Sequence, residues 1–338
     1  MHFKRLSWAK PQSLKQVPLP MPEPLFILCP PRSYSSLVSS IIGEHPECYG
    51  LPELALFLGD TLGQSWCAFP VVRRALLEGH PAIEASDSGP ALRHVIGRDG
   101  LLRTLAQLHE GTQTVDTVSR ANEWLVRHSD WPVRKVFDHI QELVGDRILV
   151  EKSPVFAREQ SYIERMLSVF PKGRILHLIR HPRGTAQSFI SIRSTHGRVS
   201  RAAGNSPARD PERVWRTTHE VIMMITEDLS LGQCMRLKGE ALLSDLENYL
   251  PQICEWLGIR TDREAINAMM HPENSPYARR GPPSAPLGND PNYLENPAID
   301  RERLAKLKEP RLDGELPWRP GETFTPETLR LARQFGYQ

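Results

Sequence analysis

Along the chain, short apolar runs alternate with longer stretches in which apolar residues recur every three or four positions. The first run, "LFILC" (Leu25–Cys29), reads as a strand buried on both faces, since it has no polar residue to turn toward water. It stops at Pro30-Pro31, and helical spacing resumes from about Ser35. "ECYG" predicts a short second strand ending at Gly50, with Pro52 opening a helix. From Thr61 to Gly145 the spacing is helical: Leu101, Leu102, Leu105 and Leu108 make one stripe, and Trp124, Val133, Val136 and Ile140 mark further helices. "RILVEKSP" is a third strand, Phe156–Phe170 a helix, and "GRILHLIRHP" a fourth strand. Pro182 opens the next helix, Pro211–Leu229 is another, and the short apolar "CMRLK" is followed by a helix over Leu242–Leu257.

Strands rich in Ile, Leu and Val that alternate with helices predict the α/β class, a three-layer αβα fold around a mostly parallel sheet. Residues 1–24 form a polar, then Pro-rich lead-in, and 25–270 the α/β domain. Within it, 61–145 is a helical insertion between the second and third strands, where it could form a lid or an acceptor wall. Ten prolines between His271 and Glu322 make 271–338 an extension that packs irregularly on the same domain, with short helices near Arg301–Leu307 and Pro326–Gln334. No internal repeat is visible.

Charge narrows the partners. With 42 Lys+Arg against 40 Asp+Glu the chain lacks the basic excess of a nucleic-acid binder, so any anion recognition is local. Its five cysteines are scattered, without CxxC or a Cys/His cluster at zinc spacing. That pattern predicts free thiols in a reducing compartment and no bound metal. No stretch approaches the roughly 20 apolar residues of a membrane span, and "MHFKRLSWAKPQSLKQ" lacks the apolar core of a signal peptide. The expected location is the cytoplasm.

Two segments carry candidate anion chemistry. In "PPRSYSS", Arg32, Ser33, Tyr34, Ser35 and Ser36 lie where a strand meets a helix N-terminus, whose free N–H groups and positive end favour an anion. A Pro-stiffened connection with an N-cap serine would look the same. In "ILHLIRHPRGTAQSF", Arg180 ends a strand and Ser188 lies eight residues on, on the helix face of Gly184. A surface arginine and an ordinary helical serine would also satisfy that pattern. Neither segment ends in GK[ST], the sequence that would place magnesium beside a triphosphate. A sulfuryl group carries less negative charge than a phosphoryl group, so cationic side chains can manage the leaving phosphate without metal. A P-loop kinase stays open as an alternative, as does a nucleotide-binding protein without catalysis.

Taken together, these segments resemble the sulfotransferases that use 3′-phosphoadenosine 5′-phosphosulfate (PAPS). That family has a P-loop-like nucleotide-binding fold and a PRSGTT-like loop, matched here at Pro31, Arg32, Ser33, Ser35 and Ser36. The resemblance implies that this loop holds the 5′-phosphosulfate and that Arg180 and Ser188, the family's R-x7-S pair, hold the 3′-phosphate. Tyr34 stands at the family's glycine position, so the loop backbone is expected to avoid a glycine-only conformation. "HPECYGLPELALF" is similar to the segment that supplies a catalytic base in the tyrosylprotein branch, which maps to Glu53. "VEKSP" resembles the segment with a lysine beside the bridging oxygen, here Lys152. The likeness continues through "WRTTHEVI" and "RLKGEALLSDLENYLPQICEWLGI", with Gly239 in place of a usual tyrosine. "GNDPNY" (Gly288–Tyr293) is similar to a loop near the nucleotide, which adds Gly288 and Asn289.

Coverage runs from about Leu25 to Tyr293. The implied reaction moves a sulfuryl group from PAPS to a hydroxyl and releases PAP, with Glu53 as base and Lys152 and Arg32 stabilising charge. His219 and His196 could border the acceptor pocket, and His219 enters the catalytic set; His181 belongs to the cap of the helix at Pro182. Trp66, Trp124 and Trp131 could line that pocket or simply pack the insertion. The insertion, in "EWLVRHSDWPVRKVFDHI", is also similar to sulfotransferase domains of modular polyketide synthases, which implies an acyl chain on a carrier protein as one acceptor beside free small molecules.

Overall fold

The computed structural model describes residues 21–67, 96–195, 210–305 and 309–338. Strand β1 (Leu25–Leu28) contains no polar side chain and is the middle strand of a five-stranded sheet. The others are β2 (Cys48–Gly50), β3 (Ile148–Glu151), β4 (Arg174–Ile179) and β5 (Cys234–Lys238). Their order is β2-β3-β1-β4-β5 and every neighbouring pair is parallel. The expected α/β architecture is therefore present. All five strands end on the same edge, and the crossovers before and after β3 lead to opposite sides of β1, so β1 sits at a switch point. Open α/β sheets bind their ligands at such points.

Alternation along the strands feeds two cores. Leu25 and Ile27 point into the layer built from the helices Ser35–Gly43 and Leu246–Leu257. Phe26 and Leu28 point the other way, toward the helices Ile96–Glu110, Val115–Arg127 and Val133–Val144. Phe26 meets Phe57, Phe137 and Phe170 there at ring separations of 5.6, 6.1 and 5.8 Å. The described part of the insertion is thus one layer of the sandwich; residues 68–95 lie outside the described residues.

Three predicted helices differ in outline. Nothing helical starts at Pro52; the chain runs irregularly to Ala55 and then makes a 3-10 turn, Leu56–Leu58. Phe156–Phe170 is split, because Glu159 adopts an extended conformation between a 3-10 turn and the helix Gln160–Val169. Leu242–Leu257 is likewise two helices, Gly239–Ser244 and Leu246–Leu257, broken at Asp245, whose side chain accepts from Asn248 N. An additional helix, Arg263–Met269, is capped by Asp262.

The Pro-rich extension is pinned by buried polar groups. Arg103, 1% exposed, donates to the carbonyls of Leu287 and Arg279. Glu212 accepts from Thr325 N at 2.7 Å, and Tyr337 donates to Glu240 at 3.0 Å. Beyond the Arg103 anchor at Leu287, Asp290 meets the loop that follows β1.

Candidate active site

The loop after β1 has few residues in which to turn the chain from a strand into a helix. Arg32 and Tyr34 achieve this in the left-handed region, at φ 72° and 64°. Tyr34 thus takes a left-handed conformation that glycine favours, without entering one open to glycine alone. The left-handed well is open to L-residues at a cost of roughly 1–2 kcal/mol each, which neighbouring contacts must offset. Ser33 is fully buried and its Oγ has no hydrogen-bond partner within the protein. Burial pushes the neighbouring Cys29 thiol up to about 12, which leaves it inert as a nucleophile at neutral pH.

Lys152 leaves the end of β3 on the same face as Val150, toward the helix that begins at Ser35. With no exposed surface, its Nζ donates to Ser36 Oγ at 2.7 Å and to Glu53 Oε1 at 2.9 Å. Ser36 Oγ in turn accepts from Asp290 N at 3.0 Å. A lysine, a carboxylate and a hydroxyl from three distant segments thus meet at the mouth of the loop.

Glu53 is held by its backbone. Its N–H donates to Gly288 O at 2.8 Å, the next to Glu151 Oε1 at 3.2 Å, and Ala55 N to Ser153 Oγ at 3.0 Å. At a helix start Glu53 and Leu54 N–H would lack intrahelical acceptors in any case; the turn is broken at Ala55, whose N–H goes to Ser153 and whose backbone is left-handed at φ 52°. Gly100 packs on the same backbone, where an added Cβ would lie 2.1 Å from Glu53 O. Glu151 is fully buried, and burial raises its pKa to about 8 against the pull of Ser153 and Leu54 N. Glu53 keeps its side chain 16% exposed, enough to meet a molecule arriving from solvent.

The second segment meets the first. Arg32 Nε donates to Ser188 Oγ at 3.1 Å, and Arg180 Nη1 donates to Arg32 O at 2.6 Å. Arg180 Nε is buried without a partner. Arg32 also pairs with Asp290. Its pKa falls to about 10, through burial first and the adjacent Arg180 second. Two guanidinium groups held side by side favour an anion between them. Glu240 supports this corner by accepting from His181 N at 2.9 Å, and the His181 ring accepts from Arg183 N at 3.1 Å as a helix cap.

Other expected site residues have different surroundings. His219 is fully buried among Trp215, His177 and Phe335, with its Nδ1 2.8 Å from His177 Nε2. Burial lowers its pKa to about 3, and none of these contacts reaches Glu53 or Lys152. The structure does not bring it to the cluster, because its helix turns that face into the core. His196 lies outside the described residues. Gly288 contributes its carbonyl to Glu53, and Asn289 turns inward to donate to Tyr277 O at 3.2 Å. Asp290, Gly100 and Glu151 escaped the sequence reading. The Asp-Pro pair marks Asp290 as a helix cap, but nothing local announces its pairing with Arg32.

Among the described residues no group of three or more His, Cys, Asp or Glu side chains could hold a metal ion, and no helix is long and apolar enough to cross a membrane. The arrangement suits a substrate with two anionic ends, and a hydroxyl beside Glu53 and Lys152. A family model described as "Sulfotransferase family" matches residues 24–263. A sulfotransferase domain from the curacin biosynthetic pathway superposes with a TM-score of 0.69 at 23% identity, covering 94% of this chain and 99% of its own. A second, from the olefin synthase of Synechococcus PCC 7002, gives 0.66 at 23%, covering 98% and 99%. These two likenesses show the fold. A search of curated proteins found no match.

Proposed function

Because the chain belongs to the sulfotransferase family, transferring a sulfuryl group, we propose that its donor is PAPS, its product PAP, and its acceptor a hydroxyl on a small molecule or a carrier-bound acyl chain. The observation that carries the donor assignment is a pair of buried donors without protein partners, Ser33 Oγ and Arg180 Nε. They lie on the two arms that Arg32 bridges through Ser188. Buried polar groups are costly to leave unpaired, and a nucleotide with phosphate at both its 5′ and 3′ ends would satisfy both arms together.

In this reading Arg32, Ser33, Ser35, Ser36 and the N–H groups at the helix start hold the 5′ end. Arg180 and Ser188 hold the 3′ end. The nucleotide, when bound, supplies the sulfuryl group and a phosphate leaving group. Glu53 takes the proton of the acceptor hydroxyl, while Lys152 and Arg32 stabilise the negative charge that builds on the phosphate. His219 is left as a core residue. Gly288 and Asn289 serve by fixing Glu53 and the overlying loop. The insertion helices form an acceptor wall. The two similar structures are sulfotransferase domains of a biosynthetic pathway and of an olefin synthase, which supports an acyl hydroxyl as acceptor. The free thiols of Cys29, Cys48, Cys234 and Cys254 fit a cytoplasmic setting.

Thermal shift with PAP and with ATP–magnesium, followed by labelled PAPS offered to hydroxyacyl carriers, phenols and sugars, tests this. At a hundredfold excess over Kd, PAP should add about 2.7 kcal/mol of stability, raising Tm by several degrees, with label appearing on an acyl hydroxyl. Better protection by ATP–magnesium would indicate a kinase. PAP binding without labelled product from any acceptor would indicate a nucleotide-binding protein without catalysis.

A further inference from the structure

Two positions at which the chain departs from the family pattern, Tyr34 in the first phosphate segment and Gly239 after β5, lie against each other. An added Cβ on Gly239 would stand 2.8 Å from Tyr34 Cδ2 and 3.5 Å from Cε2, so only glycine leaves room for the ring. Arg180 also lies against that ring, its Cζ 4.1 Å from the ring centroid. A guanidinium at this distance over an aromatic face is attracted to it and loses rotational freedom.

Arg180 is thereby held on several sides. Tyr34 covers its plane, Arg32 O accepts from Nη1 at 2.6 Å, and Gly184 faces the opposite edge. An added Cβ at Gly184 would be 3.3 Å from Nε and 3.6 Å from Nη2, so glycine keeps that edge open. The open edge carries Nε, the buried donor that lacks a partner. Tyr34 carries this ring from a left-handed backbone, at φ 64°. An uncommon conformation held by its surroundings points to a role for the side chain it aims.

We propose that Tyr34 is a positioning residue for the 3′-phosphate: seated on Gly239, its ring holds the Arg180 guanidinium with its Nε edge presented to that phosphate. The proposal rests on the donor reading above and deepens it. It differs from a direct contact between Tyr34 and the nucleotide, because the loss it predicts is confined to the 3′-phosphate.

The test is calorimetric binding of PAP and of adenosine 5′-monophosphate, which lacks the 3′-phosphate, with Tm as a control for folding. The wild-type chain should bind PAP at least tenfold more tightly than the monophosphate. Tyr34→Leu, which keeps bulk over Gly239 but has no aromatic face, should cut that ratio about fivefold while monophosphate affinity changes less than twofold. Tyr34→Phe should keep the ratio. Gly239→Ala, which displaces the ring, should lower it as Tyr34→Leu does, and the double variant should lose no more than either single. If the wild type does not prefer PAP, the donor reading fails and this assignment falls with it. If the wild type prefers PAP and Tyr34→Leu keeps the preference, the donor reading stands and the role of Tyr34 is refuted.

Discussion

A lysine nitrogen shut away from water needs hydrogen-bond partners of its own, and Lys152 finds them in Ser36 and Glu53. That placement sets it where charge would build during transfer, beside a carboxylate able to accept a proton. Lys152→Ala should lower kcat by ~10²–10³-fold, the usual loss on removing one such stabiliser. PAP affinity, measured by calorimetry, should weaken less than tenfold; an equal loss in both would make Lys152 a ground-state binding group. Its neighbour Glu151 offers a different test. Its folded-state pKa is raised to about 8, so the native protein holds a proton there that the unfolded chain releases near the ordinary carboxylate range. Stability from this group is therefore complete at low pH and is lost as pH climbs through 8. Between pH 5 and pH 8 the wild type should lose on the order of a few kcal/mol more stability than Glu151→Gln. Urea unfolding at the two pH values reads this directly, and identical slopes for both proteins would mean that Glu151 is ionised in the folded state.

Between residue and fold stand the short irregular pieces that aim side chains. The segment Pro52–Ala55 has the sequence of a helix start and is not one, because Ala55 turns left-handed at φ 52° and gives its N–H to Ser153, while Glu53 and Leu54 N–H anchor the segment to Gly288 and Glu151. The helix beginning at Ile96 presses Gly100 against it. Gly100→Ala places a methyl in Glu53's carbonyl, and overpacking of this kind costs about 1–3 kcal/mol. Displacing Glu53 by an ångström should reduce kcat by up to ~10²-fold. Tm and kcat should therefore fall together. A lowered Tm with unchanged kcat would remove either Glu53 from the chemistry or Gly100 from its support. The helix breaks at Glu159 and Asp245 have the same character: an extended residue or a capping side chain interrupts continuous apolar spacing.

At the scale of the whole molecule, nearly balanced charge leaves recognition to a few convergent groups at one sheet edge. Strand order makes this possible. β3 and β4 flank β1, so Lys152 from one and Arg180 from the other stand on either side of the same loop. The Pro-rich extension then crosses the domain, held by Arg103, Glu212 and Glu240, and brings Asp290 onto Arg32. An extension that holds only short helices is thus part of the candidate site, which residue spacing alone does not reveal.

The strands, the parallel sheet and the segments bearing Arg32–Ser36, Lys152 and Arg180 were legible in the sequence. Each is a local event, an apolar run ending at a proline, a charge or a helix start, and periodicity reports local events well. Residues whose role depends on another part of the chain were not legible. Asp290 went unremarked inside "GNDPNY", Gly100 went unremarked altogether, and His219 read as a candidate catalytic residue until its helix turned it inward. Tyr34 and Gly239 looked like two separate irregularities until the fold set one upon the other. The physical reason is range. Backbone geometry and burial preference are written within a few neighbouring residues, whereas close approach, ion pairing and packing between distant segments exist only once the sheet and its covering layers have assembled.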